Sequence, residues 1–235
     1  MEKTVPQLVN TMLSRYDAVL LDIDGTLVDS NGAHAAAWSD ALAAHGRHHS
    51  PKQIRPLIGK VATSCFGNWP RWTTNPARAR GLPKPESRSS GTVTCRPSSP
   101  RPARAAFVEW LLESALTVVV ATSAKEGEVK ALLTICGGQA LVKDATTSDD
   151  AQRSKPDPDI LVAALEKSGS SPDRAIMIGD TPYDIEAAHR AGLATIAFRC
   201  GGWDDAALQG SIAIYDDPRQ LLDRLGQSPF YAENS

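Results

Sequence analysis

Five short apolar runs, each leading into polar residues, constrain the fold of this chain more than any other feature. They lie at residues 18–21, 118–121, 175–178, 193–198 and 212–215. Runs of this length that are apolar at nearly every position are typical of strands buried on both faces of a sheet. Helical patterns lie between the runs, and this alternation predicts an α/β fold with a parallel, doubly wound, Rossmann-like sheet.

The intervening helices are indicated by apolar spacing and by the residues that end them. Val129, Leu132, Leu133 and Cys136 recur at helical spacing, and two glycines then act as a stop. Further helices are predicted at 31–45, 160–167, 185–191 and 218–225. The carboxyl ends of parallel strands meet at one edge of the sheet, so ligands are expected beyond those ends.

Acidic and hydroxyl side chains follow three of the predicted strands. Asp22 and Asp24 follow the first, Thr122 the second and Asp180 the third. Hydrolysis of a phosphate monoester needs a nucleophile and a proton donor for the leaving oxygen. Of two carboxylates on one loop, one can attack phosphorus and the other can hold that proton. Thr122 can donate a hydrogen bond to a phosphoryl oxygen, and Lys155 can neutralise the developing charge.

The remaining acids favour a hard cation. Asp180 and Asp184 offer oxygen ligands of the kind that Mg²⁺ prefers. Asp184 can equally cap the helix that follows it, and the two roles are compatible. Gly25 lets the backbone turn close to a phosphate.

Four motifs in chain order resemble those of the haloacid dehalogenase superfamily of phosphohydrolases, over residues 17–60 and about 106–225. They are Asp22-Ile23-Asp24-Gly25-Thr26, Thr122 after Val-Val-Val-Ala, Ser154-Lys155-Pro156-Asp157-Pro158, and Gly179-Asp180-Thr181-Pro182-Tyr183-Asp184. Within the superfamily, the chain resembles the branch of phosphoglycolate phosphatase and β-phosphoglucomutase, whose members carry a helical cap. The second acid, Asp24, favours phosphate chemistry over dehalogenation.

The resemblance implies a role for each matched residue. Asp22 is the expected nucleophile and Asp24 the acid/base, while Thr122 and Lys155 hold the phosphoryl group. The implied Mg²⁺ ligands are Asp22, the Asp24 backbone carbonyl and Asp180, supported by Asp184. Phosphate or substrate contacts are expected from Gly25, Thr26, Ser123, Lys125 and His34. A simpler interpretation is that Lys125 is only a lysine in the first turn of a helix and that His34 is only a histidine on a helix surface.

The same resemblance predicts a core formed by residues 1–28 and 105–235, with a cap inserted at 29–104. Residues 61–104 have an unusual composition for a cap. They contain seven of the sixteen prolines and seven arginines, but one acid, Glu86. A segment with so few aliphatic side chains has little to bury, which predicts disorder. The arginines could also suggest a nucleic-acid patch, which the proline density disfavours.

A second explanation for 61–104 is translation in a shifted reading frame. Codons for Val61 to Pro70 exist that, read from one nucleotide upstream, encode Gly-Gly-Asp-Lys-Leu-Leu-Arg-Glu-Leu-Ala. In the same frame, Trp72 to Pro76 can give Val-Asp-Asp-Glu-Ser, and Gly91 to Arg96 can give Arg-Asp-Arg-Tyr-Leu-Pro. These hidden peptides resemble family caps. The hypothesis places compensating frame changes near Lys60 and between Pro97 and Phe107, where genomic DNA would test it.

The bulk composition narrows the partners. A net charge of −2 gives no global attraction to nucleic acid or to a membrane surface. The apolar runs are too short to span a bilayer, and residues 1–16 lack the pattern of a signal peptide. Four cysteines without CxxC spacing suggest neither disulfides nor zinc, which favours the cytoplasm. No sequence feature sets an oligomeric state.

Three functions remain open from the sequence. The leading one is a Mg²⁺-dependent phosphatase that hydrolyses a small phosphorylated metabolite through an aspartyl-phosphate on Asp22. The second is a sugar phosphomutase of the β-phosphoglucomutase type. The third is a phosphate-binding protein without turnover, because caps exclude water and select substrate and this one has an abnormal sequence.

Overall fold

A computed structural model describes residues 15–58, 102–124, 126–151, 153 and 155–231. Positions singled out above that lie outside these ranges are residues 1–14 and 59–101, Lys125 and Ser154. No helix of the described ranges is long and apolar enough to cross a membrane.

Five parallel strands form the central sheet, as the apolar runs predict. They are β1 (Ala18–Leu21), β2 (Thr117–Val120), β3 (Ala175–Gly179), β4 (Ala194–Phe198) and β5 (Ala213–Tyr215), in the spatial order β2-β1-β3-β4-β5. Leu21 pairs with Val120 on one side and with Ile178 on the other. The ends of β1, β2 and β3 therefore lie side by side, which confirms the α/β prediction and places the motif loops at one edge.

Helices connect the strands and cover both faces of the sheet. They are α1 (Asn31–Ala43), α2 (Pro51–Ile54), α3 (Pro102–Glu113), α4 (Glu126–Ile135), α5 (Asp159–Ser168), α6 (Pro182–Arg190) and α7 (Pro218–Asp223). Short 3₁₀ turns lie at Arg55–Leu57, Gln139–Asp144, Pro172–Arg174, Arg199–Gly201 and Leu225–Gln227. The predicted helices at 31–45, 160–167, 185–191 and 218–225 are confirmed, with ends that differ by three residues or fewer.

The strand residues alternate between two apolar layers. Val19 and Leu21 face a cluster that includes Phe107 of α3 and Leu133 of α4. Ala18, Leu20 and Met177 face the opposite cluster, built from α5 and α6. Burying a large aliphatic side chain contributes about 1.5–3 kcal/mol relative to exposure, so a sheet covered on both faces is a stable platform for its loops.

A small helical segment, residues 31–58, leaves the core after the first motif. Ala35, Leu42 and Ile54 form its own apolar cluster, with Trp38 and Ile58 packed against it. This segment falls in the predicted cap.

Hydrogen bonds from the last residues of the helical segment join it back to the core. The Tyr183 hydroxyl donates to the Pro56 carbonyl at 2.9 Å, and Arg55 Nη2 donates to the Gly201 carbonyl at 3.3 Å. Both core partners belong to loops at the carboxyl ends of the strands, so the segment lies beside the motif loops.

Candidate active site

Asp22 is the first residue beyond β1 and is buried at the sheet edge. Its backbone N–H donates to the Ile178 carbonyl at 3.0 Å, which extends the strand pairing by one residue. Lys155 Nζ donates to Asp22 Oδ1 at 2.6 Å. Burial raises the pKa of Asp22 to about 7, with the charge of Asp184 adding to the rise and that of Lys155 opposing it. The structure therefore places the predicted nucleophile against a fixed cation.

The Asp24 carboxylate contacts side chains at the start of α1. Its Oδ1 accepts a hydrogen bond from the Ser30 hydroxyl and lies 3.2 Å from His34 Nε2. Burial alone would raise the pKa of Asp24, but the hydrogen bonds and charge of His34, followed by the Ser30 hydrogen bond, outweigh burial and lower it. Asp24 is thus a carboxylate with its own hydrogen-bonding partners, separate from those of the nucleophile.

The turn between Asp24 and α1 depends on Gly25. Its φ of +85° belongs to the left-handed region, and a Cβ here would lie 2.1 Å from Asp180 Oδ2. The next residue, Thr26, is fully buried and donates from Oγ1 to Asp180 Oδ1 at 2.9 Å. Both residues therefore lie against the Asp180 carboxylate.

Lys155 lies between two buried carboxylates. Its Nζ is 2.6 Å from Asp22 Oδ1 and 2.8 Å from Asp184 Oδ1. Burial acts to lower the pKa of Lys155, but the charges of Asp184 and Asp22 raise it well above its usual range. The lysine is therefore a permanent positive charge at the site.

Asp184 uses its second oxygen to start a helix. Its Oδ2 accepts from the Thr181 backbone N–H at 3.0 Å, while the Thr181 hydroxyl accepts from the Asp184 N–H at 3.2 Å. This reciprocal arrangement is a capping box, and Pro182 follows at the first helical position. The helix-cap role weighed from the sequence is confirmed.

Three acids form a compact cluster that suits a cation. Oxygens of Asp22, Asp180 and Asp184 all lie within 4.8 Å of one another, and each residue is buried. Burial, together with the charges of Asp22 and Asp184, raises the pKa of Asp180 well above its usual value. Such carboxylates repel one another unless a positive ion lies between them, and oxygen-only ligands favour a hard divalent ion.

Thr122 and Ser123 follow β2, next to Asp22 in the sheet. The Ala121 N–H donates to the Leu21 carbonyl at 2.9 Å, which sets the two strand ends side by side. Thr122 Oγ1 accepts from the Ala124 N–H at 3.1 Å, so its proton can still be donated. The Ser123 hydroxyl is buried and has no hydrogen-bond partner within the described chain. These two hydroxyls can donate to an anion at the sheet edge.

Two further residues shape the site and were missed by the sequence analysis. Asn31 Nδ2 donates to Asp180 Oδ2 at 3.0 Å. A Cβ at Gly201 would lie 2.0 Å from the same oxygen, so only glycine fits there without displacing the carboxylate. In the sequence, Asn31 was marked only as the first residue of a predicted helix, and Gly201 only as part of a Gly-Gly pair.

Residues 19–198 match the model of the haloacid dehalogenase-like hydrolases. The chain belongs to this family. It is 30% identical over 223 residues to the N-acetylmuramic acid 6-phosphate phosphatase of Pseudomonas aeruginosa, covering 91% of this chain and 96% of that protein. It is 27% identical over 236 residues to the phosphoglycolate phosphatase of Rhodospirillum rubrum, covering 92% and 98%.

Solved structures of this family share the fold. A hydrolase from Pseudomonas syringae superposes with a TM-score of 0.78 at 27% identity, over 90% of this chain and 98% of the other. β-Phosphoglucomutase from Clostridium difficile gives a TM-score of 0.73 at 16% identity, over 92% and 97%. The predicted family and branch are confirmed.

Proposed function

We propose that this protein is a Mg²⁺-dependent phosphatase that hydrolyses a small phosphorylated metabolite through an aspartyl-phosphate on Asp22. The single observation that carries the proposal is the position of Asp22. Its carboxylate touches Lys155 on one oxygen and belongs to the three-acid cluster, while Asp24 lies outside that cluster with its own partners. A nucleophile, a separate proton carrier and a cation site are the parts that phosphoryl transfer needs.

The buried donors fit Mg²⁺. Asp22, Asp180 and Asp184 would hold it through side-chain oxygens, and the Asp24 backbone carbonyl would complete the set. When bound, Mg²⁺ supplies positive charge that polarises the phosphoryl oxygens. The described buried residues include more carboxylates than positively charged side chains. We therefore expect a metal ion, rather than a second lysine, to compensate the remaining charge.

The protein's own residues would carry the covalent steps. An Asp22 oxygen attacks phosphorus and the bond to the leaving oxygen breaks, while Asp24 gives that oxygen a proton. Asp24 then takes a proton from water, which attacks the aspartyl-phosphate and regenerates Asp22. Lys155 stabilises the negative charge that develops, and the hydroxyls of Thr122 and Ser123 are placed to orient phosphoryl oxygens.

His34 would act through Asp24. Its Nε2 and the Ser30 hydroxyl both contact Asp24 Oδ1, which fixes the direction of the carboxylate. His34 also lies on α1, in the segment predicted as part of the cap. We propose that residues 29–104 form the inserted cap and that 1–28 and 105–235 form the catalytic core.

The substrate class follows from the relatives. The curated proteins above are named for phosphoglycolate and for N-acetylmuramic acid 6-phosphate, both small phosphorylated compounds. A substrate of this class is proposed here. A requirement for a sugar bisphosphate would instead identify a phosphomutase, and phosphate binding without turnover would identify a non-catalytic protein.

A panel of phosphate monoesters with Mg²⁺ tests the proposal. It is run on this chain, on a version with the shifted-frame reading of 61–104 restored, and on Asp22→Asn of each. We expect Asp22→Asn to lower phosphate release at least about a thousandfold and to abolish the phosphorylated protein seen by mass spectrometry. Asp223→Asn, an exposed acid paired with Arg219, is the matched control and should leave turnover unchanged. Undiminished turnover by Asp22→Asn, or none by the restored protein, contradicts the proposal.

A further inference from the structure

Arg104 is a buried cation that the proposed mechanism does not use. It lies in the first turn of α3 with 6% of its surface exposed, and its Nη2 donates to the Gly25 carbonyl at 3.2 Å. Gly25 follows Asp24 directly, so the guanidinium holds the backbone of the first motif. Although Arg104 is one of the seven arginines of residues 61–104, it belongs to a helix packed on the sheet.

Among the side chains that the structure describes, no carboxylate forms an ion pair with Arg104. Cys200 donates from Sγ to the same Gly25 carbonyl at 3.2 Å, and burial raises its pKa to about 11 despite Arg104. The thiol is therefore neutral at pH 7. A buried charge without a close partner is costly, which indicates that Arg104 is balanced by charges farther away.

The charges of two acids, Asp180 and Asp217, act on the neighbouring Cys200 thiol, so Asp180 of the acid cluster is one source of such charge. A Cβ on Gly25 would lie 2.1 Å from Asp180 Oδ2, and the carbonyl of the same residue accepts from Arg104. Because both contacts are made to one residue, standard backbone dimensions keep Arg104 Nη2 within about 9 Å of the Asp180 carboxylate. Charges at this separation interact appreciably inside a protein.

We propose that Arg104 is a positioning and charge-balancing residue of this site, which fixes the Gly25 carbonyl and offsets part of the negative charge of the acid cluster. The inference rests on the proposed function. Removing the positive charge leaves the site more negative, so Mg²⁺ should bind more tightly and phosphate less tightly. A general packing defect would weaken both.

Calorimetric titration of the full chain with Mg²⁺ alone, and with inorganic phosphate at saturating Mg²⁺, tests this inference in Arg104→Gln. An ion bound to the Asp180 carboxylate would lie within about 11 Å of Arg104 Nη2, because Mg²⁺–oxygen distances are about 2 Å. Even with the dielectric constant of water, a unit charge and a dication about 11 Å apart interact by an amount worth about threefold in affinity. We therefore expect Mg²⁺ to bind at least about threefold more tightly and phosphate to bind several-fold more weakly. Unchanged or weaker Mg²⁺ binding by the folded variant overturns the inference.

Two matched variants complete the design. Arg104→Lys keeps the charge but loses the planar fork, so it should bind Mg²⁺ and phosphate within about twofold of the wild type while turnover falls. This variant decides the matter if Arg104→Gln does not fold, since a tenfold loss of Mg²⁺ affinity in it contradicts charge balancing. Arg219→Gln, an exposed arginine, should change neither affinity. Wild-type protein that binds no Mg²⁺ refutes the proposed function as well, whereas normal wild-type binding with an unresponsive Arg104→Gln refutes only this inference.

Discussion

Replacing Lys155 by Met tests whether the buried lysine holds the acid cluster together. Methionine has similar length and an apolar end, so it fills the space without the charge. Lys155 Nζ lies 2.6 Å from Asp22 and 2.8 Å from Asp184, and 2% of the lysine side chain is exposed. Water therefore cannot take over the role of the ammonium group, and both carboxylates lose their cation at once.

The size of the effect follows from burial. Removing one partner of a buried ion pair costs about 3–5 kcal/mol, because the other charge is left uncompensated. In a domain of this size, about 1 kcal/mol shifts the melting temperature by about 2–4 °C. The expected drop for Lys155→Met is therefore about 6–20 °C when Mg²⁺ is chelated. Mg²⁺ should restore more stability to the variant than it adds to the wild type. Without the lysine charge the acid cluster is more negative and binds Mg²⁺ more tightly, and a ligand that binds only the folded state stabilises it in proportion to its affinity.

Thermal melts followed by circular dichroism, with chelator and with Mg²⁺, measure both quantities. Lys167→Met is the matched control, since Lys167 is exposed and donates only to the Ala145 carbonyl. Its melting temperature should change by less than about 2 °C, as for most surface substitutions. A Lys155→Met protein that melts within about 3 °C of the wild type in chelator would refute the account of Lys155 as the charge that holds the cluster.

Three other perturbations give separate predictions. Burial raises the pKa of Asp22 to about 7 from an ordinary value near 4, so between these values the folded state binds a proton that the unfolded state has lost. The stability of the metal-free protein should therefore fall as the pH rises from about 4 through 7. Melts in chelator at pH 5 to 8 should show this decline, and Mg²⁺ should reduce it. Gly201→Ala should weaken Mg²⁺ binding by at least about tenfold by titration, because its methyl group would displace the Asp180 carboxylate. His34→Gln should lower kcat more for alkyl phosphates than for p-nitrophenyl phosphate, because only the poorer leaving group needs full protonation by Asp24; equal losses on both would argue against a positioning role.

The sheet was predictable because each strand carries its signal locally. The run at 18–21 is apolar throughout and ends in acids, and the structure buries all of its residues. Helix ends were predicted less well for a local reason too. The α6 helix begins three residues before its apolar pattern does, because Pro182 and the Thr181–Asp184 box set its first turn.

The missing parts of the site are those that depend on how distant loops meet. Asn31 and Gly201 are 149 and 21 residues from Asp180 in the sequence, yet both contact its carboxylate. Neither belongs to a motif, and an amide or a glycine has no pattern that marks it. Arg104 was assigned to the abnormal segment on composition, although its neighbours 105–113 already follow the pattern of a buried helix.

The two carboxylate oxygens of Asp184 have different partners, and this difference has a consequence for evolution. One oxygen caps α6 and the other pairs with Lys155, so the residue serves folding whether or not substrate is ever turned over. A descendant that lost catalysis would still be under selection to keep this acid. Asp22 differs, because burial raises its pKa and its ionisation costs the folded state. In a relative that has lost catalysis, we therefore expect substitution of Asp22 before substitution of Asp184.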